Sequence, residues 1–286
     1  MKNKKDTVGF HLAGVIPVSG LETDFNFPWH PSLQPLDNDY LAIERAVYEC
    51  AMAGCETIWV VCSDDVVALI KDRVGDYVES PYSLEKARFT KFPSDHRESV
   101  PIFYTPVHPK DRDRRDSYIW GAFHGALTSF VVSSRISSWL MPNKYYVAFP
   151  YGVYDPQEVK KYRKVISSER TFLMSYNGKT IVDGEYLSFT MSPTEYKNYV
   201  WNIKDKCSGG ARTLSRSNRW SARNISIEEA MSPCDVERSY IGEVERYFRI
   251  DDWRSYREFI SSDFKLKKPS KKFMKPYEFN GLFYEN

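Results

Sequence analysis

The run Val15-Ile16-Pro17-Val18 breaks into Ser19-Gly20, the kind of glycine turn with which α/β proteins bring backbone N–H groups up to a phosphate or a base. The next five residues, Leu21-Glu22-Thr23-Asp24-Phe25, are acidic and aromatic where a phosphate loop would carry cations. Cations stand elsewhere: Arg212, Arg216, Arg219 and Arg223 surround Trp220 in a Gly-, Ser- and Arg-rich stretch. Arginine forks grip phosphate at two points, so this stretch is a candidate phosphate clamp; a solvated surface loop is the competing reading. Asp64, Asp65 and Asp155 are candidate ligands of Mg2+, which takes one or two carboxylates together with substrate phosphates. Each also stands where a helix would start, so capping competes for the same carboxylates.

Turns of this kind need strands to hold them. From Val8 to Ile166 the pattern alternates strand and helix. Phe10–Val18 is a continuous apolar run, as a strand buried on both faces should be. Residues 37–54 carry a helical stripe with Asn38 or Asp39 as cap and Gly54 as stop. Thr57–Cys62 reads as the next strand, closed by Ser63-Asp64 and followed by a helix ending at Gly75. Residues 100–106 read as a third strand, 117–132 as a helix with Leu127 and Phe130 on its apolar side, and 144–152 as a fourth strand. Pro156 then suits the first position of another helix. Such alternation implies crossover connections, and so a mostly parallel twisted sheet with helices on both faces, a Rossmann-like α/β fold. In such sheets ligands sit beyond the carboxyl ends of the strands. Ser19-Gly20, Ser63-Asp64, Pro106-Val107 and Pro150-Tyr151-Gly152 should therefore line one crevice.

After Ser167 the character changes to α+β. Asn177-Gly178 between β-rich runs signals a hairpin; Ser192, Pro193 and Glu195 form a capping-box signature for a helix. Residues 204–224 read as a loop, and a late helix should be capped by Asp251. A basic, proline-punctuated tail closes the chain. The expected organisation is a nucleotide-binding-like core over 1–166, an extension over 167–262 that completes the sheet and covers the cleft, and a tail over 263–286.

Composition narrows the function classes. The chain has 286 residues and a formal net charge of +2, so any contact with a polyanion must be a local patch. The Arg212–Arg223 loop and the tail are the candidates for nucleic acid, by charge with aromatic stacking. No stretch approaches a membrane span and the lysine-led N-terminus carries His11 and Pro17, so the expectation is a cytoplasmic protein with no membrane partner. Five cysteines form no CxxC pair and read as reduced core thiols. The histidines show no zinc spacing, and no Walker loop or nucleophile elbow is present.

Taken together, residues 15–25, 31–76, 100–106 and 145–159 resemble the sugar-1-phosphate nucleotidyltransferases of the nucleoside-diphospho-sugar transferase superfamily, a GT-A-like fold. In that family a strand ends in L-A-G-G-x-G-T-R, a P-K-P-L-L-P-V stretch and a helix come next, then AGI-x-E-I-x-I-V and a second helix; Met52–Asp76 matches the last part in order and spacing. The resemblance implies a nucleotide or nucleotide-sugar held by Val18, Ser19, Gly20, Leu21, Thr23, Ser63, Asp64 and Tyr151, with Mg2+ on Asp155 or Asp64. It also implies transfer of a nucleotidyl group to a sugar phosphate. The departures matter. The family's Thr-Arg falls on Leu21–Phe25, its Lys near His30-Pro31, and its metal-binding Asp near Pro150-Tyr151. Nucleotidyl transfer joins two polyanions and must neutralise departing pyrophosphate. Two expectations therefore stand side by side: a nucleotidyltransferase whose cations come from the Arg212–Arg223 loop, and a degenerate relative that binds nucleic acid or protein without catalysis.

Overall fold

The computed structural model describes residues 10–19, 29–82, 99–107, 118–209 and 225–266. In chain order the elements are β1 (Leu12–Pro17), β2 (Pro35–Asp37), β3 (Tyr40–Leu41), α1 (Ala42–Ala53), β4 (Thr57–Cys62), α2 (Asp64–Val74), β5 (Tyr77–Glu79), β6 (Ser99–Pro106) and α3 (Tyr118–Ile136). Then come β7 (Lys144–Val147), β8 (Gly152–Val153), α4 (Arg163–Ile166), β9 (Phe172–Ser175), β10 (Phe189–Met191), α5 (Pro193–Gly209), α6 (Ile227–Met231), β11 (Tyr240–Glu243), β12 (Phe248–Arg249) and α7 (Trp253–Ser261).

Eight strands form one sheet in the order β11-β9-β10-β7-β1-β4-β6-β5. β1 pairs in parallel with β4 and with β7, and β4 in parallel with β6. Among the described strands of this sheet, only β5 and β10 run against this direction. β1 sits at the centre and is buried at each of its six positions, which is why its sequence is an unbroken apolar run rather than an alternating one. One core lies between the sheet and α1 and α2, and a second between the sheet and α3, α5, α6 and α7. The fold is thus the mixed α/β architecture that the alternation of elements implies. Beyond Ser167, β9, β10 and β11 join the same sheet, whereas β12 pairs with β8 in a separate two-stranded ribbon.

Local chemistry explains most boundaries. α1 stops at Gly54 in the left-handed region (φ 88), and Ser192 and Glu195 exchange bonds with each other's backbone N–H at the head of α5. Two caps differ from expectation. Asn38 and Asp39 do not start α1; they turn the chain between β2 and β3, and the helix begins at Ala42 with the Glu44 carboxylate accepting the Leu41 N–H at 2.8 Å. α7 is capped by Asp252, which accepts the Ser255 N–H at 2.6 Å, because Asp251 is engaged by Arg249. The helix expected after Asp155 is a 3-10 segment, Pro156–Tyr162, leading into α4. Asn177-Gly178 makes the expected turn (φ 49 and 75), joined by a bridge between Tyr176 and Lys179. Residues 204–209, expected as loop, continue α5. Leu127 and Phe130 of α3, expected to face the core, are exposed.

Lys144 joins the two halves of the sheet. It is buried at the start of β7, and its ammonium donates to the carbonyls of Ile166 (3.2 Å), Ser168 (2.9 Å) and Arg170 (2.5 Å). Three carbonyls around one ammonium hold the chain that enters β9. Cys50, Cys55, Cys62 and Cys234 are free thiols. Among the described residues, no helix is long and apolar enough to cross a membrane.

Candidate functional site: the strand tips at the sheet's point of reversal

Counting the parallel strands in chain order, the sheet grows from β1 to β4 to β6, then returns to place β7 on the other side of β1. The order reverses between β1 and β7, and in open parallel sheets ligands lie beyond the carboxyl ends of the strands at such a reversal. The tips found there are Val18-Ser19 after β1, Ser63-Asp64 after β4, and residues 148–151 after β7.

Three of the expected groups come to this edge together. The N–H groups of Val18 and Ser19 share the Val61 carbonyl at 2.8 and 3.3 Å, tying the β1 tip to the end of β4. Register pairs Pro17 with Val61 and Val15 with Val147, so the segments carrying Ser19 and Ser63 leave the ends of adjacent strands. The Ser19 hydroxyl is buried and has no hydrogen-bond partner among the described residues. Ser63 occupies the N-cap position of α2, with Asp64 and Asp65 in its first turn. Tyr151 lies at the same edge with its ring turned inward, 1% exposed. Gly20, Leu21, Thr23, Arg212, Arg216, Arg219 and Arg223 lie outside the described residues.

The floor of this edge is aromatic. Tyr118, at the start of α3, stands 5.4 Å from Phe149, 5.6 Å from Tyr151 and 5.4 Å from Tyr186 between ring centroids. Arg249 lies 4.5 Å over the Tyr186 ring while pairing with Asp251 at 2.6 Å. Burial pushes the hydroxyls of Tyr118 and Tyr151 well above the ordinary tyrosine range. Two glycines permit the close packing. A β-carbon on Gly152 would fall 1.8 Å from the Tyr186 carbonyl oxygen, and one on Gly125 of α3 would fall 2.6 Å from Val15 and 2.7 Å from Val61.

Electrostatics at the tips favour neutrality or negative charge. His30, at the place where the resemblance puts a lysine, accepts the Ser32 N–H on Nδ1. Burial lowers its pKa below the ordinary 6.5, with Asp65 opposing, so at neutral pH it is an uncharged ring. Asp155 accepts the Gln157 N–H at 2.9 Å as the cap of the 3-10 segment. It lines a cavity of about 330 Å3 with Gln157, Glu158, Lys161, Glu245, Arg246 and Phe264. Among the described residues, no group of three or more His, Cys, Asp or Glu side chains is placed to hold a metal ion. Asp64 and Asp155 head separate helical segments. Among the described residues the candidate carboxylates Asp64, Asp65 and Asp155 form no such group.

A polar cluster with little signature in the sequence lies beneath the rim. Arg45 and Glu49 of α1, both fully buried, pair at 2.8 Å, and Tyr146, Tyr154 and Ser188 close around Glu49. Its one sequence signal is an opposite-charge pair four apart inside an otherwise apolar helix face.

No protein-family model matches the sequence, and no curated protein matches it. Solved structures do. A provisional glucose-1-phosphate thymidylyltransferase from Bacillus anthracis, in complex with a sucrose, is 11% identical, with 90% of this chain and 98% of that one covered and a TM-score of 0.50. A UDP-glucose pyrophosphorylase complexed with UDP-glucose is 12% identical, with 88% and 97% covered and a TM-score of 0.50. Rv0371c from Mycobacterium tuberculosis H37Rv, in complex with manganese, is 12% identical, with 89% and 100% covered, at a TM-score of 0.44 too slight to bear on this chain. The fold is therefore nucleotidyltransferase-like, similar to the folds of the first two of these proteins. At these identities the likeness speaks for the fold alone.

Proposed function

We propose that this protein binds a nucleotide or nucleotide-sugar across the tips of β1, β4 and β7, over Val18-Ser19 and Ser63-Asp64. The observation that carries the reading is the reversal of strand order between β1 and β7, with a buried Ser19 hydroxyl at the central tip that has no hydrogen-bond partner among the described residues. Support comes from fold neighbours, one of them bound to UDP-glucose. Gly20, Leu21 and Thr23 continue the same tip in sequence and complete the proposed contact.

We extend the proposal to nucleotidyl transfer. An oxygen of the sugar phosphate attacks the α-phosphorus of a nucleoside triphosphate, a P–O bond forms, and the bond to pyrophosphate breaks. The described tips offer hydroxyls and backbone donors but an uncharged His30 and acidic Asp64 and Asp65. Charge on the leaving pyrophosphate falls in this reading to Arg212, Arg216, Arg219 and Arg223. The same shortage of cations at the described tips favours a second reading, a degenerate relative that keeps the fold and binds nucleic acid or protein without catalysis. Free thiols at Cys50, Cys55, Cys62 and Cys234 suit a reducing compartment such as the cytoplasm.

Thermal shift against nucleoside triphosphates and nucleotide-sugars tests binding. A ligand at a hundred times its Kd adds about 2.7 kcal/mol, about 4–5 °C for a chain of this size. Gly20→Val should abolish that shift while melting stays cooperative; no shift with any nucleotide overturns the reading. Pyrophosphate release in the presence of a sugar 1-phosphate separates the enzyme from the noncatalytic relative. Arg216→Ala with Arg219→Ala should weaken nucleotides more than nucleosides if the loop is the clamp.

A further inference from the structure

α1 contains a charge pair placed where it costs most. Arg45 and Glu49 are both 0% exposed, and desolvating two such charges usually outweighs their attraction, so that apolar residues of similar volume hold a core as well or better. Apolar residues would not reproduce the set of bonds the pair makes. One arm of Arg45 meets Glu49; the other donates to the Phe149 carbonyl at 2.6 Å. Phe149 lies just past the end of β7, on the far side of the reversal from Ser19. The second oxygen of Glu49 accepts from Tyr146 at 2.7 Å and from Tyr154, and both hydroxyls lie 2.8 Å from Ser188 Oγ. The guanidinium also sits 5.0 Å over the Tyr154 ring. The chain from Phe149 to Tyr154 is thereby held at both ends by one ion pair of α1. Between those ends Gly152 is pressed against the Tyr186 backbone, and the Tyr151 carbonyl accepts the Ile250 N–H at 2.9 Å.

We infer that Arg45 is a positioning residue of the rim: with Glu49 it sets the place of residues 149–154 beside the β1 tip, and this, rather than stability, is what the buried pair does. The consequence for a ligand rests on the nucleotide-binding reading; the effect on the rim does not. A structural role alone predicts that replacing the pair by apolar residues leaves the rim as it was. A positioning role predicts that the fold survives and the rim loosens.

The experiment uses the full chain with Arg45→Met and Glu49→Leu combined. The expected result is a melting temperature within a few degrees of the original, with amide hydrogen exchange at least tenfold faster in the peptide spanning 149–154 and unchanged in β1 and β4. Unchanged exchange at 149–154 overturns the inference. Glu49→Gln, which keeps shape and removes one charge, serves as the second variant and should show the same local loosening. If neither variant folds, the pair is a stability element and the inference is also overturned. Titration with UDP-glucose adds the ligand arm, where a tenfold weaker Kd in the folded double variant is expected. If the unaltered protein binds no nucleotide, the functional reading falls while the exchange data still decide the role of Arg45.

Discussion

Raising the pH above 10 should unfold this protein steeply, because its core is built on tyrosine. Tyr40, Tyr118, Tyr146, Tyr151, Tyr154 and Tyr199 are at most 4% exposed, and burial is the first cause raising the pKa of each above the ordinary 10. In the unfolded chain each would ionise near 10. Above that pH the unfolded state therefore binds fewer protons than the folded one, and stability falls as pH rises. Each buried tyrosine withdraws about 0.8 kcal/mol at pH 10.5 and about 1.4 kcal/mol at pH 11. The six together withdraw about 5 and about 8 kcal/mol, comparable with the whole stability of a typical domain, about 5–15 kcal/mol. Tyrosinate absorbance should accordingly rise in one cooperative step between about pH 10.5 and 11.5, together with loss of the far-ultraviolet dichroism. Independent titration of all twenty tyrosines near pH 10 in a protein that keeps its dichroism would refute the reasoning. Tyr118→Phe is the internal control. The Tyr118 hydroxyl is buried with no hydrogen-bond partner among the described residues, so its removal should raise stability at neutral pH by about 1 kcal/mol and move the alkaline midpoint upward.

Two substitutions probe how the strand tips are built. Gly152→Ala places a methyl group 1.8 Å from a backbone oxygen, a contact no rotamer can relieve; the expected cost is about 3 kcal/mol or more, read as a lower denaturant midpoint at unchanged slope. An unaltered midpoint would mean that Tyr186 does not approach as described. Lys144→Met strips three carbonyls of their shared donor and should cost about 2–4 kcal/mol, with faster exchange at the head of β9. A neutral result would show that the ammonium is not what ties residues 166–170 to β7.

Much of the scaffold was legible in local sequence. The strand Thr57–Cys62 appears with the predicted ends, Gly54 stops α1 in the left-handed region, and Ser192-Pro193-Glu195 heads α5. These features depend on neighbours a few residues away, and residue type reports them directly. Short elements were not legible. β5, β8, β11 and β12 have two to four residues, too few for a period to show. The 3-10 form of Pro156–Tyr162 and the length of α5 were likewise not marked by any local residue. The site was legible in part: the strand tips were foreseeable as a set, since alternating elements imply parallel strands with a common edge. Tyr118, Tyr186 and the Arg45–Glu49 cluster were not, since their partners lie up to 105 residues away in sequence.

By itself, then, the amino-acid sequence determined a mostly parallel α/β sheet whose strand ends share one edge, because helix period, strand apolarity and turn glycines act over a few residues. Tertiary structure alone decided that β7 returns beside β1 and that Tyr151 turns inward. It also decided that an ion pair of α1 reaches the Phe149 carbonyl. These depend on which distant surfaces pack, and packing is settled by shape and burial across the sheet.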